Sequence, residues 1–264
     1  MRGLADWDRR RALAAMLGLP LAAAAPRSWA QAGAAIDRVK AGLVAVGSVQ
    51  KTRSPPFQFR GTGFAVGDGS LIATNAHVVN GLVDGGASPE ILVVVQPGVD
   101  GKPAQPRAAT RVAIDADHDL ALLKLESGTI PPLALAPDAY LRDGDRLLFT
   151  GFPIGTVLGV FPATHQAMIS GVTPVAAPMA GSRELDAKTI RRLASGPFPI
   201  YQLDATAYPG NSGSPLYDPV TGAVAAVINM VFVKGTKESA LSQPSGISYA
   251  IPVRHLRELL AGAR

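Results

Sequence analysis

The segment that decides the fold of this chain reads Leu71-Ile72-Ala73-Thr74-Asn75-Ala76-His77-Val78-Val79. Its first four residues are apolar or β-branched, as in a short strand, and the strand leads directly into a histidine. Further along, Asp119 begins an apolar run over residues 120–125. Ser212 stands in a tight loop that reads Tyr208-Pro209-Gly210-Asn211-Ser212-Gly213-Ser214-Pro215. A histidine, an acid and a serine therefore occur in that order, each beside a β-like segment.

The sequence around these segments alternates short apolar runs with turn residues. Its 28 glycines and 22 prolines, with only 17% charged residues, suit a β-rich protein with many turns. Dipeptides such as Asp68-Gly69 and Asp143-Gly144 separate the runs, as in a β-sandwich or β-barrel. A proline-rich stretch over 131–137 divides twelve predicted strands into two sets of six. These strands are 42–49, 58–66, 71–74, 91–95, 108–114 and 120–125, then 146–152, 166–172, 200–203, 215–217, 223–233 and 247–251.

Two segments are predicted to be helical. The segment 252–261 begins with Pro252, a residue favoured at the first helical position, and its apolar residues share one face. We expect this C-terminal helix to pack against the second half of the fold. A second helix is predicted over 184–193, within a longer loop that covers 173–199.

The first thirty residues have the pattern of an export signal. Three arginines (9–11) precede a short apolar run over 12–25, and small residues follow at the cleavage position. The run is too short to span a membrane comfortably and is interrupted by Pro20. The arginines resemble part of a twin-arginine signal, although Ala12 stands where that signal prefers a bulky apolar residue. We predict a cleaved signal over 1–30 and export to the periplasm or beyond, an uncleaved anchor being the alternative.

Composition excludes several classes of function. The formal net charge of +5 comes largely from the export segment, and 20 basic and 18 acidic residues remain after it. Because no basic stripe with interleaved aromatic residues remains, we expect no nucleic-acid partner. The absence of cysteine excludes disulfides, thiol catalysis and cysteine-ligated metals. No His-Glu-x-x-His zinc motif occurs, so we predict no metal site. We also predict no cofactor. Because the apolar run of the export segment is too short to span a membrane, we expect no stable membrane association after signal removal.

The histidine, aspartate and serine identified above supply what acyl transfer to serine needs. A serine hydroxyl is a poor nucleophile near neutral pH until an imidazole takes its proton. A carboxylate holds that imidazole in the correct tautomer, and N–H groups turned inward by glycine stabilise the oxyanion. Asp115 and Asp117 compete with Asp119 for the carboxylate role, but they lie in a turn, whereas Asp119 adjoins the apolar run. We expect His118, in the same turn, to be exposed.

At these residues the sequence resembles the trypsin-like serine protease superfamily, and most closely its HtrA-type bacterial branch. The resemblance extends from about residue 35 to 260 and includes Gly61-Thr62-Gly63-Phe64, Gly151-Phe152-Pro153-Ile154-Gly155 and Gly246-Ile247-Ser248-Tyr249-Ala250-Ile251-Pro252. It implies an all-β, chymotrypsin-like fold of two six-stranded antiparallel β-barrels with a C-terminal helix. Residues 31–137 would form the N-terminal barrel, and 138–264 the C-terminal barrel and terminal helix.

The resemblance also implies a serine endopeptidase that hydrolyses polypeptide substrates. His77 would be the general base, Asp119 would orient it, and Ser212 would be the nucleophile. The backbone N–H groups of Gly210 and Ser212 would form the oxyanion hole.

Substrate specificity follows from the same resemblance. Thr206 would lie at the base of the S1 pocket, and Ile228, Asn229, Met230 and Val231 would line its wall. Because the base carries no carboxylate, a buried Lys or Arg at P1 would lack a partner. We therefore predict small or medium apolar P1 residues.

Some features depart from the family pattern. Ser214 stands where many members have a second glycine after the nucleophile, in a loop that its side chain could alter. Asn211 replaces the aspartate that pairs with a newly cut N-terminus in zymogen-type relatives, so we predict activity without internal cleavage. HtrA-type proteins usually carry PDZ domains after the protease, and we expect none here because the chain stops just past the terminal helix. They often form trimers through an N-terminal segment; little precedes Ile36 after signal removal, so the sequence gives a homo-oligomer no support.

Other functions fit the sequence less well. An α/β-hydrolase needs Gly-x-Ser-x-Gly followed by an acid and then a histidine, and Ser214 breaks that motif. Ser48-Val49-Gln50-Lys51 matches the Ser-x-x-Lys of penicillin-binding enzymes, but it lies in a strand-like run without the partner motifs. A protease-like fold that binds polypeptides without turnover is the alternative of another class. Peptide substrates would bind in the cleft between the two barrels, and we hypothesise that the loop 173–199 covers or gates this cleft.

Overall fold

Two closed β-barrels make up most of the structure, a computed structural model that describes residues 28–81, 89–97, 106–155, 159–174, 198–229 and 246–263. Each barrel has six strands, and every pair of neighbouring strands is antiparallel. The predicted all-β, two-barrel fold is therefore confirmed.

The first barrel closes around apolar side chains. Its strands are β1 (Leu43–Val49), β2 (Phe57–Val66), β3 (Leu71–Asn75), β4 (Ile91–Val95), β5 (Pro106–Asp115) and β6 (Leu120–Leu125). Four of these strands, β1, β3, β4 and β6, are buried at nearly every position. They follow the order β1-β2-β3-β6-β5-β4, and pairing of β1 with β4 closes the ring. In β6 only Lys124 is exposed, because its other side chains face one of the two apolar clusters that line this barrel.

The second barrel repeats this strand order. Its strands are β7 (Arg146–Gly151), β8 (Ala163–Pro174), β9 (Pro199–Asp204), β10 (Pro215–Tyr217), β11 (Val224–Asn229) and β12 (Ile247–Pro252). The order is β10-β11-β12-β9-β8-β7, closed by pairing of β7 with β10. Phe149, Ile169, Leu203 and Ile228 fill its interior and are all fully buried.

The predicted strands agree closely with the observed ones. Three of them, 91–95, 120–125 and 215–217, have the observed bounds, and the largest difference is at β8, which extends the predicted 166–172 at both ends. The strand predicted over 223–233 is seen as Val224–Asn229, and residues 230–233 lie outside the described ranges. The domain boundary at 137 stays a prediction; the connector there reaches β11 through a bridge between Leu135 and Val224.

Three helices accompany the barrels in the described part of the chain. α1 (Ser28–Ala41) precedes β1, α2 (Ala76–Val79) follows β3, and α3 (Val253–Gly262) is the predicted C-terminal helix. The helix predicted over 184–193 lies outside the described residues. Within the described ranges, every helix is too short or too polar to span a bilayer.

The helix α1 was not predicted from the sequence, and it begins inside the segment assigned to the export signal. This helix precedes the first barrel in the chain but packs against the second, where it contacts β7. Ala35 and Val39 are fully buried, and the Arg38 guanidinium donates to the carbonyls of Val220 and Thr221 at 3.4 and 3.2 Å. The assignment of 1–30 as a signal falls mostly on residues outside the described ranges and stays a prediction.

A continuous apolar cluster joins the two barrels. Phe59 and Phe64 of β2 belong to the same cluster as Phe152 and Tyr217 of the second barrel. The rings of Phe59 and Phe152 meet edge to face, with centroids 6.3 Å apart. Aromatic pairs of this kind bury large apolar areas and prefer this geometry, so the cluster fixes how the barrels are placed relative to each other.

Candidate active site

Asp119 lies at the first position before β6 and holds His77 through two contacts. Its Oδ1 accepts a hydrogen bond from the His77 backbone N–H at 2.8 Å, and its Oδ2 lies 2.6 Å from His77 Nδ1. The Asp119 backbone has a φ of +53°, a left-handed conformation that few non-glycine residues adopt. Strained backbone of this kind persists only where the surrounding structure enforces it and is concentrated at functional sites.

His77 is carried by the short helix α2, whose position is fixed at both ends. At its start, the Ala76 N–H and the Asn75 side-chain amide both donate to the Asp119 carbonyl at 3.0 Å. At its end, the Arg60 guanidinium donates to the Asn80 carbonyl at 3.0 Å. The His77 side chain is 30% exposed, so its Nδ1 faces the buried carboxylate while the ring remains accessible.

Asn229, at the end of β11, brings the second barrel into contact with the same carboxylate. Its side-chain amide donates to Asp119 Oδ2 at 2.7 Å, and the residue is fully buried. From the sequence, Asn229 is predicted only to line the S1 wall, and this contact leaves that assignment untested. Asn229 is thus a site residue that sequence reasoning missed in this role; the only signal was an amide at the end of a buried apolar run.

Ser212 lies in the predicted tight loop, which is hydrogen-bonded both internally and to β2 of the other barrel. Within the loop, the Ser214 N–H donates to the Asn211 carbonyl at 3.0 Å. From β2 of the first barrel, the Thr62 N–H donates to the Ser212 carbonyl at 2.8 Å, and the Thr62 hydroxyl donates to the Gly210 carbonyl at 2.7 Å. Thr62 therefore attaches the serine loop directly to the first barrel.

Gly61, next to Thr62, shows how near the serine loop comes to the histidine helix. A Cβ placed at Gly61 would lie 3.0 Å from the Ser212 carbonyl oxygen and 2.8 Å from the side chain of Val78, the neighbour of His77. Among the described residues, no hydrogen bond joins the Ser212 hydroxyl to His77. Catalytic hydrogen bonds are often long without substrate and shorten only in the complex. The structure thus joins His77 to Asp119 directly and places the Ser212 backbone near the helix that carries His77.

The peptide bond between Pro209 and Gly210 is oriented by a hydrogen bond to its carbonyl group. The Ile154 N–H donates to the Pro209 carbonyl at 2.8 Å. Because the C=O and N–H of a trans peptide point in opposite directions, the Gly210 N–H points away from Ile154. Gly210 has a φ of +104°, and a Cβ there would lie 2.3 Å from the Phe152 carbonyl oxygen, so only glycine fits. Within the described residues, the N–H groups of Gly210 and Ser212 donate to no acceptor.

Ser214, which departs from the family pattern, fits beneath this loop beside a glycine. Ser214 and Asn211 are both fully buried, and their side-chain polar atoms have no hydrogen-bond partner among the described residues. Both face Gly151, where a Cβ would lie 2.0 Å from Ser214 Oγ and 2.7 Å from Asn211 Oδ1. The extra hydroxyl is therefore accommodated by the glycine opposite.

The predicted S1 residues are only partly described. Thr206 is half-buried, and its two neighbours are held by Ser248 of β12, whose hydroxyl accepts from the Ala207 N–H at 3.0 Å and donates to the Ala205 carbonyl at 2.8 Å. Met230 and Val231 lie outside the described residues, as does most of the 173–199 loop, so their roles stay predictions.

Comparison with known proteins agrees with this geometry. A model of the trypsin-like peptidase domain matches residues 61–227. Relatives include a probable periplasmic serine endoprotease, DegP-like, from Halomonas elongata (29% identical, 73% of this chain and 32% of that protein). The human serine protease HTRA4 is 31% identical over 77% of this chain and 34% of its own length. The chain thus spans about a third of the length of these relatives.

Solved structures share the fold. A protease from M. tuberculosis, crystallised in its active form, superposes with a TM-score of 0.63 at 21% identity, over 89% of this chain and 86% of that one. The serine endoprotease from Yersinia pestis gives a TM-score of 0.58 at 22% identity, over 88% and 66%. Because the domain model matches more than half of the sequence and spans both barrels and the loop of Ser212, the chain belongs to the trypsin-like peptidase family.

Proposed function

We propose that this chain is a serine endopeptidase in which His77, Asp119 and Ser212 form the catalytic triad. The observation that supports this most strongly is the double contact of Asp119 with the backbone N–H and Nδ1 of His77. A carboxylate at Nδ1 holds the proton there and leaves Nε2 free to accept one. Family membership and the nearby serine loop point to the same reaction.

The proposed reaction follows from the positions of these groups. His77 Nε2 takes the proton of Ser212 Oγ as Oγ attacks the scissile carbonyl, and the imidazolium is stabilised by Asp119. The N–H groups of Gly210 and Ser212, which have no acceptor among the described residues, would receive the oxyanion. His77 then protonates the leaving amine, and water hydrolyses the acyl-enzyme by the reverse sequence. No step needs a cofactor.

For P1 we propose a small or medium apolar side chain. Thr206, at the proposed base of S1, is uncharged, and the contacts of Ser248 with its neighbours hold it in place. A buried cationic P1 side chain would be desolvated there without a carboxylate partner.

We also propose that the protein acts after export. The relatives described as periplasmic support this, together with the basic and apolar pattern of the first thirty residues. Fractionation of cells that express the full chain, with N-terminal sequencing of the mature protein, would test it. Intact protein confined to the cytoplasm would contradict it.

The first experiment compares fluorophosphonate labelling and casein hydrolysis of the wild type with those of Ser212→Ala. We expect the wild type to be active without internal cleavage, and the variant to lose labelling and about 10⁶-fold in turnover, as for removal of a triad serine. Labelling without casein hydrolysis would mean that the triad works on a narrower set of substrates. A folded wild type that is not labelled would refute the proposal and favour a polypeptide-binding protein.

A further inference from the structure

Beside the proposed triad lies an aromatic cluster that the mechanism does not use. His118, which directly precedes Asp119, stacks on His255 of α3 with ring centroids 3.8 Å apart and planes 14° apart. Phe198 meets both imidazoles edge to face, at 4.5 and 5.5 Å. The expectation that His118 is exposed is therefore wrong, because only 22% of its side chain is accessible in this packing.

His118 is also bound to the turn that leads into β6. Asp115 Oδ2 lies 2.6 Å from His118 Nδ1, and Asp115 Oδ1 accepts from the backbone N–H groups of Asp117 and His118 at 3.1 and 3.0 Å. Burial acts to raise the pKa of Asp115, but the hydrogen bonds from His118 and Asp117, together with the charge of His118, hold that pKa below its usual value. One ionised carboxylate thus closes the whole turn from residue 115 to 118.

The turn 115–118 leads directly into Asp119, whose backbone is strained. Asp119 follows His118 with its φ of +53°, and this conformation directs both carboxylate oxygens at His77. A non-glycine residue keeps such a conformation only when its neighbours define it from several sides. On one side the Asp119 carbonyl accepts from Ala76 and Asn75. On the other, the chain reaches Asp119 from the closed turn that ends at His118.

We propose that Asp115 and His118 are positioning residues that hold Asp119 in its left-handed conformation. The hydrogen bond between them sets the backbone at Asp119, and the stack on His255 keeps the turn against the C-terminal helix. The inference rests on the proposed function, since it assigns the pair a part in the His77–Asp119 contact.

Two substitutions at one position separate the hydrogen bond from the stack. His118→Asn keeps an N–H donor near the place of Nδ1 but removes the ring. His118→Phe keeps an aromatic ring against His255 but removes the donor. If the bond positions Asp119, we expect His118→Phe to lower kcat at least tenfold with KM within twofold. We expect His118→Asn to keep at least half of wild-type kcat and to lower the melting temperature instead.

A second readout does not depend on turnover. In the Ser212→Ala background, the downfield proton resonance of His77 Nδ1–H reports its contact with Asp119. We expect it to be sharp in the background protein and with His118→Asn, and broadened or lost with His118→Phe at a temperature where both are folded. Asp115→Ala should behave as His118→Phe does.

The outcomes distinguish the two proposals. Wild-type kcat and an unchanged resonance in His118→Phe would overturn the positioning role, as would kcat losses that follow the melting temperature alone in both variants. If the background protein itself lacks the resonance, or the wild type is not labelled by fluorophosphonate, the proposed function fails. A resonance that responds as expected in a protein without peptidase activity would leave the positioning role standing and remove only the assigned reaction.

Discussion

At the scale of single residues, the carboxylate of Asp119 is bound by residues of both barrels. It receives His77 from the first barrel and Asn229 from the second, the latter over 110 residues of sequence. A buried carboxylate is costly unless hydrogen bonds satisfy its oxygens. The Asn229 amide satisfies part of Oδ2 and fixes the rotation of the carboxyl group, so its contribution is expected in turnover more than in substrate binding.

Replacing Asn229 with Ala should therefore lower kcat about 10- to 100-fold. A hydrogen bond to a charged group contributes about 1.5–3 kcal/mol, and about 1.4 kcal/mol corresponds to a tenfold change in rate. Steady-state kinetics on a peptide substrate would measure it, with KM expected to change less than twofold. Asn80→Ala, at an exposed position after α2, is the matched control and should leave kcat unchanged. A change in KM alone would show that Asn229 acts in substrate binding instead.

Specificity can be tested at Thr206. Introducing a carboxylate by Thr206→Asp should shift the P1 preference from apolar side chains toward Arg and Lys, by about tenfold or more in relative kcat/KM, because the cationic side chain gains a charged partner. A library of peptides that vary only at P1 would measure the shift for both proteins. Wild-type cleavage mainly after Arg or Lys, or an unchanged preference in the variant, would show that Thr206 is not at the base of S1.

At the scale of elements, the serine loop depends on close backbone contact with β2. Gly213 has a φ of +86°, its N–H donates to the Ile228 carbonyl at 3.0 Å, and a Cβ there would lie 2.0 Å from the Thr62 carbonyl oxygen. A side chain would have to displace the strand that also anchors Gly210 and Ser212. The loop conformation is thus specified by packing between the barrels as well as by its own sequence.

Gly213→Ala should lower the free energy of unfolding by about 3 kcal/mol or more, since backbone strain and a steric clash add. Gly144→Ala provides the control, because Gly144 has a φ of +91° but a Cβ added there would have no other atom within 4 Å. At Gly144 only backbone strain applies, so we expect the free energy of unfolding to fall by about 1–2 kcal/mol. Urea denaturation of both variants would measure the difference. Equal losses would mean that the contact with β2 relaxes without cost.

Strands and the C-terminal helix could be predicted because their signals are local. The run 120–125 is apolar at all but one position and is bounded by turn residues, and 252–261 combines an initial proline with one apolar face. The helix α1 was missed because its alanines and glycine suit a cleavage site as well as a helix. The helix is stabilised by burial of Ala35 and Val39 on the second barrel. That burial is a tertiary contact, which no local sequence pattern contains.

At the scale of the whole molecule, α3 connects the two barrels. It packs against β11 and β12 of the second barrel and against β5 and β6 of the first. His255, 7% exposed, lies at the contact with the first barrel. Burial, and secondarily the charge of His118, lower the pKa of His255 below its usual value of 6.5. Asp115 and the largely exposed Glu258 act in the opposite direction, and β11 and β12 carry no residue charged at neutral pH.

We therefore expect the free energy of unfolding to decrease at acid pH because of His255. Its folded-state pKa is below its unfolded value, so the unfolded chain binds the proton more tightly. The contribution of the neutral imidazole is complete above about pH 6.5 and is lost as the pH falls toward the folded-state pKa. Urea unfolding from pH 8 to 5 should show stability decreasing with acid, and His255→Phe should reduce that dependence.

His165→Phe serves as the comparison for this experiment. Burial also lowers the pKa of His165, but that residue stacks on Phe149, away from α3. Both variants should flatten the pH dependence. Only His255→Phe should remove the acid-induced rise in amide exchange within 253–262. An identical exchange profile in the two variants would contradict a role for the imidazole stack in holding α3.

The sequence by itself determined the strands and, through its resemblance to the trypsin-like superfamily, implied the two-barrel fold class and the residues proposed for catalysis. These are encoded in short apolar runs and in motifs of a few adjacent residues, where local backbone preference and burial act together. Only the tertiary structure decided that Asn229 binds Asp119, that His118 stacks on His255, and that α1 crosses to the second barrel. Each of these contacts joins residues more than 100 positions apart, and they form only because closing and packing two barrels brings distant side chains within hydrogen-bonding or stacking distance.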